Sequence, residues 1–489
     1  MKITLAGATM DRRFWVDDPA ATPETISAAY ARISHSPKTV PELRDAAVSE
    51  VEKARRSNEN IIYRMGHSSV AEHAVFNIDI EDASRLLVEF IERHRLASFT
   101  ERSQRYVFFG NKTFVIPGEL EGTDLKDRMA DLEREKFDLY NEVVSREDLK
   151  ERYGDKLLEQ ARYVLGLTCP TDLGLTVNAR ETEYIISQGM VHPLKEVRSF
   201  ASRLLEATAS LAPSLIKYTE GNFHVHRTSQ EISKAVEGTA RFSLTEDGKK
   251  ELRFNPNRRA VCSDLPAQLD DPESEVVAGL VFENSGLSFE EARCLARNMT
   301  DDELMDILLP VFRNYPVHSS LPRAFEMMDL TFDFDISASA FAQLKRHRMA
   351  TILSQGYNPG LWETPEVYMN DRDLLMRYWD LLKRSRDLYL EIKADHGQEV
   401  AEYVLTNGHK RKVVFKLNLR ELYHFVRLRS DHHAQDEIRR LSDMMVREMA
   451  QRFPMVTSML CGKDGFEEGQ RRILGCETAY GVEEGGKET

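Results

Sequence analysis

Arg93-His94-Arg95 recurs as Arg346-His347-Arg348, so the chain twice sets two guanidinium groups around one imidazole. The summed charge is −14. A compact positive spot on an acidic protein points to a built site for an anionic ligand, whereas a general polyanion-binding face needs a wider basic field. Just past the first triplet stand Glu101, Ser103, Gln104 and Arg105. A hydroxyl and a guanidinium this close in sequence both reach one phosphate when the segment is extended or turned, and the planar fork of Arg matches phosphate oxygens. Well past the second triplet, Arg429 precedes His432, His433 and Gln435. Seen singly, a basic triplet that closes a helix is ordinary capping of its carbonyl end. Recurrence in matching surroundings favours function. Metal ligation by the paired histidines is disfavoured, because no carboxylate and histidine repeat at i, i+4 spacing surrounds them; no metal is expected.

The surroundings that must position these residues are themselves duplicated. GHSSVAEH (66–73) is echoed by VHSSLPRAFE (317–326), and LTVNARETEYI (175–185) by FKLNLRELYHF (415–425). The motifs keep one order at similar intervals, which marks a duplicated domain and not a short-period solenoid. Ahead of each triplet runs a period-two strand, with Phe76, Ile78 and Ile80 in one copy and Phe332, Phe334 and Ile336 in the other alternating with polar residues. A helix follows; in the first copy its apolar stripe is Leu86, Leu87, Phe90 and Ile91. Around Arg429 two helices are predicted to meet at Ser430-Asp431, one of which caps the second helix, so that His432, His433 and Gln435 fall in its first turn. Met445 and Met449 read as core.

A chain of 489 residues is long enough for more than one core. The expected division is 1–218, a connecting segment 219–273 with a strand-turn-strand, 274–464, and a tail 465–489 rich in Gly and Glu. The acidic balance argues against nucleic acid. No apolar run is long enough for a bilayer, and the opening MKITLAGATMDRRF lacks a signal pattern, so no membrane role is expected. The five cysteines show no CxxC spacing and imply neither structural zinc nor disulfides, in keeping with a reducing cytoplasm.

RHRLASFTERSQRY closely resembles the signature of flavin-dependent thymidylate synthases, in which Arg-His-Arg is followed, after seven residues, by Ser; here these are Arg93 to Arg95 and Ser103. GHSSVAEH, VNAR and LNLRELYHFVRLRSDHHAQDEI are similar to further segments of that family. The resemblance implies an α+β fold, mostly antiparallel sheet packed with helices, present as two copies that form a pseudo-dimer. It implies methylation of dUMP to dTMP, with methylenetetrahydrofolate as carbon donor and FAD, reduced by NADPH, as hydride donor. It implies Arg429 as the catalytic residue, and Glu101, Ser103, Gln104, Arg105, Arg162, Gln343 and Arg429 around the nucleotide. For the flavin it implies Arg93, His94, Arg95, Ser69, Glu72, Asn418, Arg420, His424 and His433.

Each copy lacks what the other keeps. The first retains the loop with Ser103 and Arg105, and Arg162, but has Gly189 where Arg429 would fall and Phe90 where Gln343 would. The second retains Gln343, Arg429, His433 and Gln435, but has Gly356, Asn358 and Glu402 in place of Ser103, Arg105 and Arg162. The expectation is one composite site per chain, in a homodimer of the double chain that mimics a family tetramer. Two rivals remain: a non-catalytic flavin- or nucleotide-binding descendant, and a scaffold docking through FHVHR to FNPNRRAV (223–261).

Overall fold

The computed structural model describes residues 1–11, 22–110, 113–221, 261–262, 271–315, 317 and 319–474. In the first sequence copy the elements are β1 (Lys2–Ala8), α1 (Pro23–Ala31), α2 (Val40–Ser49), α3 (Val51–Glu59), β2 (Val75–Ser84), α4 (Arg85–Glu92), β3 (Ala97–Glu101), α5 (Asp124–Ser145), β4 (Pro170–Asn178), α6 (Ala179–Gly189) and α7 (Lys195–Thr208). The second copy follows β5 (Val261–Cys262) with α8 (Pro272–Glu283), α9 (Phe289–Arg297), α10 (Asp301–Arg313), β6 (Asp329–Ser337), α11 (Ala338–Leu344), β7 (Thr351–Ser354), β8 (Asn358–Trp362), α12 (Arg372–His396), β9 (His409–Asn418), α13 (Leu419–Arg429), α14 (Asp436–Arg452) and α15 (Phe466–Leu474).

The period-two segments are the central strands. β1, β2, β4 and β3 form an antiparallel sheet in that order, and Phe76, Ile78 and Ile80 of β2 are buried. β5, β6, β9 and β7 form a second antiparallel sheet, β8 also pairing with β9, with Phe332, Phe334 and Ile336 buried. The copies agree down to single contacts. Ser84 caps α4 and donates through Oγ to Glu196, as Ser337 caps α11 and donates to Glu437. Asn178 and Asn418 cap α6 and α13, each accepting a backbone N–H at 2.9 Å. The chain is thus one α+β unit used twice.

By packing, one compact unit comprises Met1–Phe254 with Trp362–His409, and the other Asn255–Leu361 with Lys410–Thr489. The first therefore takes a segment of the second sequence copy. In it α5 and α12, which are counterparts, lie antiparallel. Arg128 pairs with Glu391, Glu135 with Arg384 and Glu142 with Arg377, each through two hydrogen bonds. The pairs recur every heptad, the spacing that keeps one face of each helix on its partner. Such exposed pairs each contribute only about 0.2–1 kcal/mol, so they fix register more than stability.

Of the connecting segment, 222–260 and 263–270 lie outside the described residues, and with them most of the expected strand-turn-strand and docking surface; Val261–Cys262 form β5, paired with β6. The tail is more ordered at its start than its Gly and Glu content suggests. Helix α15 seats Phe466 against Tyr315 and sends Gln470 Nε2 to the carbonyls of Phe312 and Tyr315, while 475–489 lie outside the described residues. Among the described residues no helix is long and apolar enough to cross a membrane.

Candidate functional site

In the first unit, the strand β3 and the loop after it bring together the residues expected to bind an anion. The side chain of Glu101, at the end of β3, is shielded from solvent and ion-paired to buried Arg85, the first residue of α4. Ser103 Oγ accepts the backbone N–H of Arg105 at 3.2 Å, a tight turn that holds hydroxyl and guanidinium side by side. Arg105 Nε donates to Glu159 Oε2 at 2.5 Å, and buried Arg162 donates from Nε to the carbonyl of Glu159 at 3.3 Å. Gln104 is buried, its Oε1 accepting from Asn407 Nδ2 at 3.0 Å; the same amide nitrogen donates to the carbonyl of Arg162. Burial, with Arg105 and Arg85 nearby, pulls the Arg162 guanidinium down to about 10. Three guanidiniums, two carboxylates and a hydroxyl are concentrated here, which suits exchange of a carboxylate partner for a phosphate dianion.

Arg85, Glu159 and Asn407 were not among the residues expected from sequence. Arg85 carried a signal: a cation at the first position of a helix opposes the dipole and needs a local anion. Glu159 and Asn407 carried none, since the loop meets them only through tertiary packing.

The first triplet closes α4. His94 is buried with Nδ1 3.1 Å from the carbonyl of Ile91, its ring edge-on to Phe90 and Tyr184. Burial, then the charge of Arg93, holds this imidazole down at about 4, so it is neutral at ordinary pH. Arg93 lies over the Phe90 ring at 4.5 Å, and Arg95 is exposed. Ser69 and Glu72 occupy the turn Ser68–His73, with Glu72 paired to Arg180 at 2.5 Å.

In the second unit the polar residues converge on Arg429, at the C-terminus of α13. Its Nη1 and Nη2 donate to Oε1 and to the carbonyl of Gln343, each at 3.1 Å, and its Nε donates to His347 Nε2 at 3.2 Å. Because His347 Nε2 accepts, Nδ1 carries the proton and faces Glu421 Oε1 at 3.2 Å. Burial, and then Arg429, keep this imidazole well below its ordinary value, while burial raises the Glu421 carboxyl. Gln343 Nε2 is buried with no hydrogen-bond partner among the described residues, a donor left for a ligand acceptor. Arg420 donates to the Leu321 carbonyl and to Glu326, and His424 and His433 are exposed.

One expectation is corrected. Helix α14 is capped not by Ser430 or Asp431 but by Gln435, whose Oε1 accepts the Ile438 N–H. Asp431 instead accepts the backbone N–H of His433 in its own turn, so His432 and His433 sit in the connection, ahead of the helix. Among the described residues two groups bring nitrogen and carboxylate ligands within reach of one ion, Asp431 with His432 and His433, and His347 with Glu421 and His424. The second has a guanidinium on the far nitrogen of His347, which opposes a bound cation.

In the first copy the vacated arginine niche is packed shut. A Cβ at Gly189 would stand 2.7 Å from Ala201 Cβ and 3.6 Å from Phe90 Cζ. The Phe90 ring, edge-on to His192, occupies space that a guanidinium would need. In the second copy Arg411 stacks on Tyr357 at 3.6 Å, between Gly356 and Asn358. Gly189→Ala is therefore expected to destabilise the protein by about 1–2 kcal/mol net, because an overpacking cost toward the upper end of about 1–3 kcal/mol exceeds the roughly 1 kcal/mol of helix propensity gained. A lowered Tm checks it; an unchanged or raised Tm shows a looser niche.

The family pattern described as "Thymidylate synthase complementing protein" matches residues 18–214 and again 270–455. A UPF0159 protein of Thermoplasma acidophilum is 24% identical over 89% of this chain and 94% of its own length. A flavin-dependent thymidylate synthase of Clostridium tetani is 28% identical over 44% of this chain and 89% of its own. A crystal structure of the Helicobacter pylori flavin-dependent thymidylate synthase, complexed with FAD and dUMP, is 18% identical and covers 45% of this chain and 100% of its own, with a TM-score of 0.33. With the pattern satisfied once in each half, the chain belongs to the flavin-dependent thymidylate synthase family and carries the family domain twice in tandem.

Proposed function

We propose that the chain methylates dUMP to dTMP at one composite site per polypeptide, with methylenetetrahydrofolate as carbon donor. The anion loop of the first copy and the Arg429 helix of the second furnish that site together, in a homodimer of the double chain. The observation that carries the reading is complementary furnishing. Arg105 and Arg162 are kept where the arginine niche is filled by Phe90, and Arg429 with Gln343 is kept where the anion loop has given way to Gly356 and Asn358. Random decay toward a mere binder need not spare opposite parts.

Ser103, Arg105 and Arg162 hold the nucleotide phosphate, with Glu101 and Gln104 fixing the loop. Gln343 Nε2 and Arg429 face the pyrimidine, and Arg429 stabilises the charge that develops as the ring becomes nucleophilic. The residues suit an anionic flavin. Arg93, Arg95 and neutral His94, with Ser69 and Glu72, come from one copy; Asn418 Nδ2, the remaining N–H groups of Arg420, His424 and His433 come from the other. Bound FAD, reduced by NADPH, supplies the hydride.

Titration of FAD, followed by flavin absorbance, and of dUMP, followed by calorimetry, is expected to saturate at one of each per chain. Saturation at two overturns the composite site. Tritium release from labelled dUMP is expected from the yellow protein; flavin binding without release makes it a non-catalytic descendant.

A further inference from the structure

A second basic feature lies in the helices α1 to α3, which neither triplet nor anion loop includes. These helices border an open groove of about 600 Å³ whose lining contains Arg32, His35, Lys38, Lys53 and Arg56, with Glu50 as a carboxylate among them. His35, Lys38, Lys53 and Arg56 are exposed. Lys53 is paired to Glu50 at 2.6 Å, and the Lys53 contact, then Arg32 and Lys38, holds the Glu50 carboxyl below its usual range. The side chains of His35, Lys38 and Arg56 make no ion pair or hydrogen bond among the described residues. Several like charges around one concavity repel one another, a cost with no structural return unless an anion is bound there.

The duplication supplies an internal control. Thr39 and Glu42 form a capping box at α2, as Ser288 and Glu291 do at α9. Buried Leu43 and Ala47 correspond to buried Ala292 and Ala296, and buried Ala54 and Asn58 of α3 to Leu304 and Leu308 of α10. In the register of the capping boxes Arg32 becomes Val281, His35 becomes Asn284 and Lys38 becomes Leu287, and in that of α3 and α10 Lys53 becomes Glu303 and Arg56 becomes Asp306. The core positions stay buried in both copies, while the basic positions are all replaced in the second, two of them by carboxylates. The scaffold therefore does not require these cations.

We propose that the α1–α3 groove binds a small ligand bearing two or more adjacent phosphates, with Lys38 and Arg56 as its principal contacts. A compact concavity fits a short phosphate chain, whereas a nucleic acid or a partner protein would draw on a broader face. The site is independent of the thymidylate reading. It is tested by calorimetric titration of the full chain at low salt with tripolyphosphate, orthophosphate and ATP. Tripolyphosphate is expected to bind saturably and more tightly than orthophosphate. The Lys38→Glu/Arg56→Glu double variant, with its Tm unchanged, is expected to lose tenfold or more in affinity, and saturating dUMP is expected to leave the parent's affinity unchanged. Tighter binding of ATP than of tripolyphosphate identifies a nucleotide; equal binding identifies the phosphate chain alone; both support the site. Three results overturn it: no saturable binding, binding that survives the double charge reversal, and binding that dUMP competes away. Salt-sensitive self-association of the parent chain that the double variant abolishes also overturns it, since the groove would then seat a second copy.

Discussion

Arg429→Ala is expected to lower dTMP formation by about two to three orders of magnitude, the usual loss when one preorganised donor is removed from a developing negative charge. FAD should stay bound. The magnitude follows from how the side chain is held. Both Nη atoms are fixed on Gln343 and Nε is fixed on His347, so the guanidinium plane is set before any ligand arrives. Its orientation depends on His347 staying neutral, because a protonated Nε2 cannot accept from Nε. Burial and the Arg429 charge depress that imidazole well below 6.5, so protonation begins only at pH below the ordinary histidine range. The pH profile of kcat is accordingly expected to lack a step near 6.5. Arg429→Lys should fail almost as badly, since an ammonium cannot span Gln343 and His347 together. Glu421→Gln should cost less, because the amide oxygen still accepts from His347 Nδ1. Tritium release with flavin absorbance measures both quantities, and normal turnover in Arg429→Ala removes the assignment.

Much of this architecture was legible in the chain before folding. Alternation at Phe76-Ile78-Ile80 and Phe332-Phe334-Ile336 located the two central strands, because a sheet with one buried face imposes period two. The stripe Leu86, Leu87, Phe90 and Ile91 located the helix that ends in the triplet. The paired departures at Phe90 and Gly189 were visible as letters, but their physical link was not: only packing shows that the aromatic ring closes the space beside a glycine that cannot accept a Cβ. Glu159 and Asn407 escaped notice because their proximity to Ser103 and Arg105 arises from long-range contacts with no local periodicity. For the same reason, sequence could not tell that Trp362–His409 packs into the first unit. The cap of α14 was missed through competition: Asp431 is a good cap by type, but its carboxylate is spent on the His433 N–H, and Gln435 caps instead.

Lys136→Met carries the largest expected effect on stability. Lys136 and Glu133 are fully buried on α5, with Lys136 Nζ 2.6 Å from both Glu133 Oε1 and the Val404 carbonyl, while Glu133 Oε2 accepts from Thr168 Oγ1 at 2.7 Å. Gly166 makes room for the carboxylate, since a Cβ there would meet Glu133 Oε2 at 2.3 Å. Burial pulls the lysine toward its neutral form and Glu133 opposes that pull. Removing the ammonium alone leaves a buried carboxylate held by one hydroxyl, which costs about 3–5 kcal/mol. Removing both charges with Lys136→Met/Glu133→Leu is expected to recover most of the loss, because an apolar pair of similar volume pays no desolvation. The ion pair then contributes little net stability and acts through selectivity. Its ammonium binds the Val404 carbonyl, so it fixes where the second-copy segment docks on α5. The test is thermal unfolding of both variants, with flavin per chain measured alongside. A Tm for Lys136→Met equal to that of the parent would show that the buried charge is tolerated alone and would end this account.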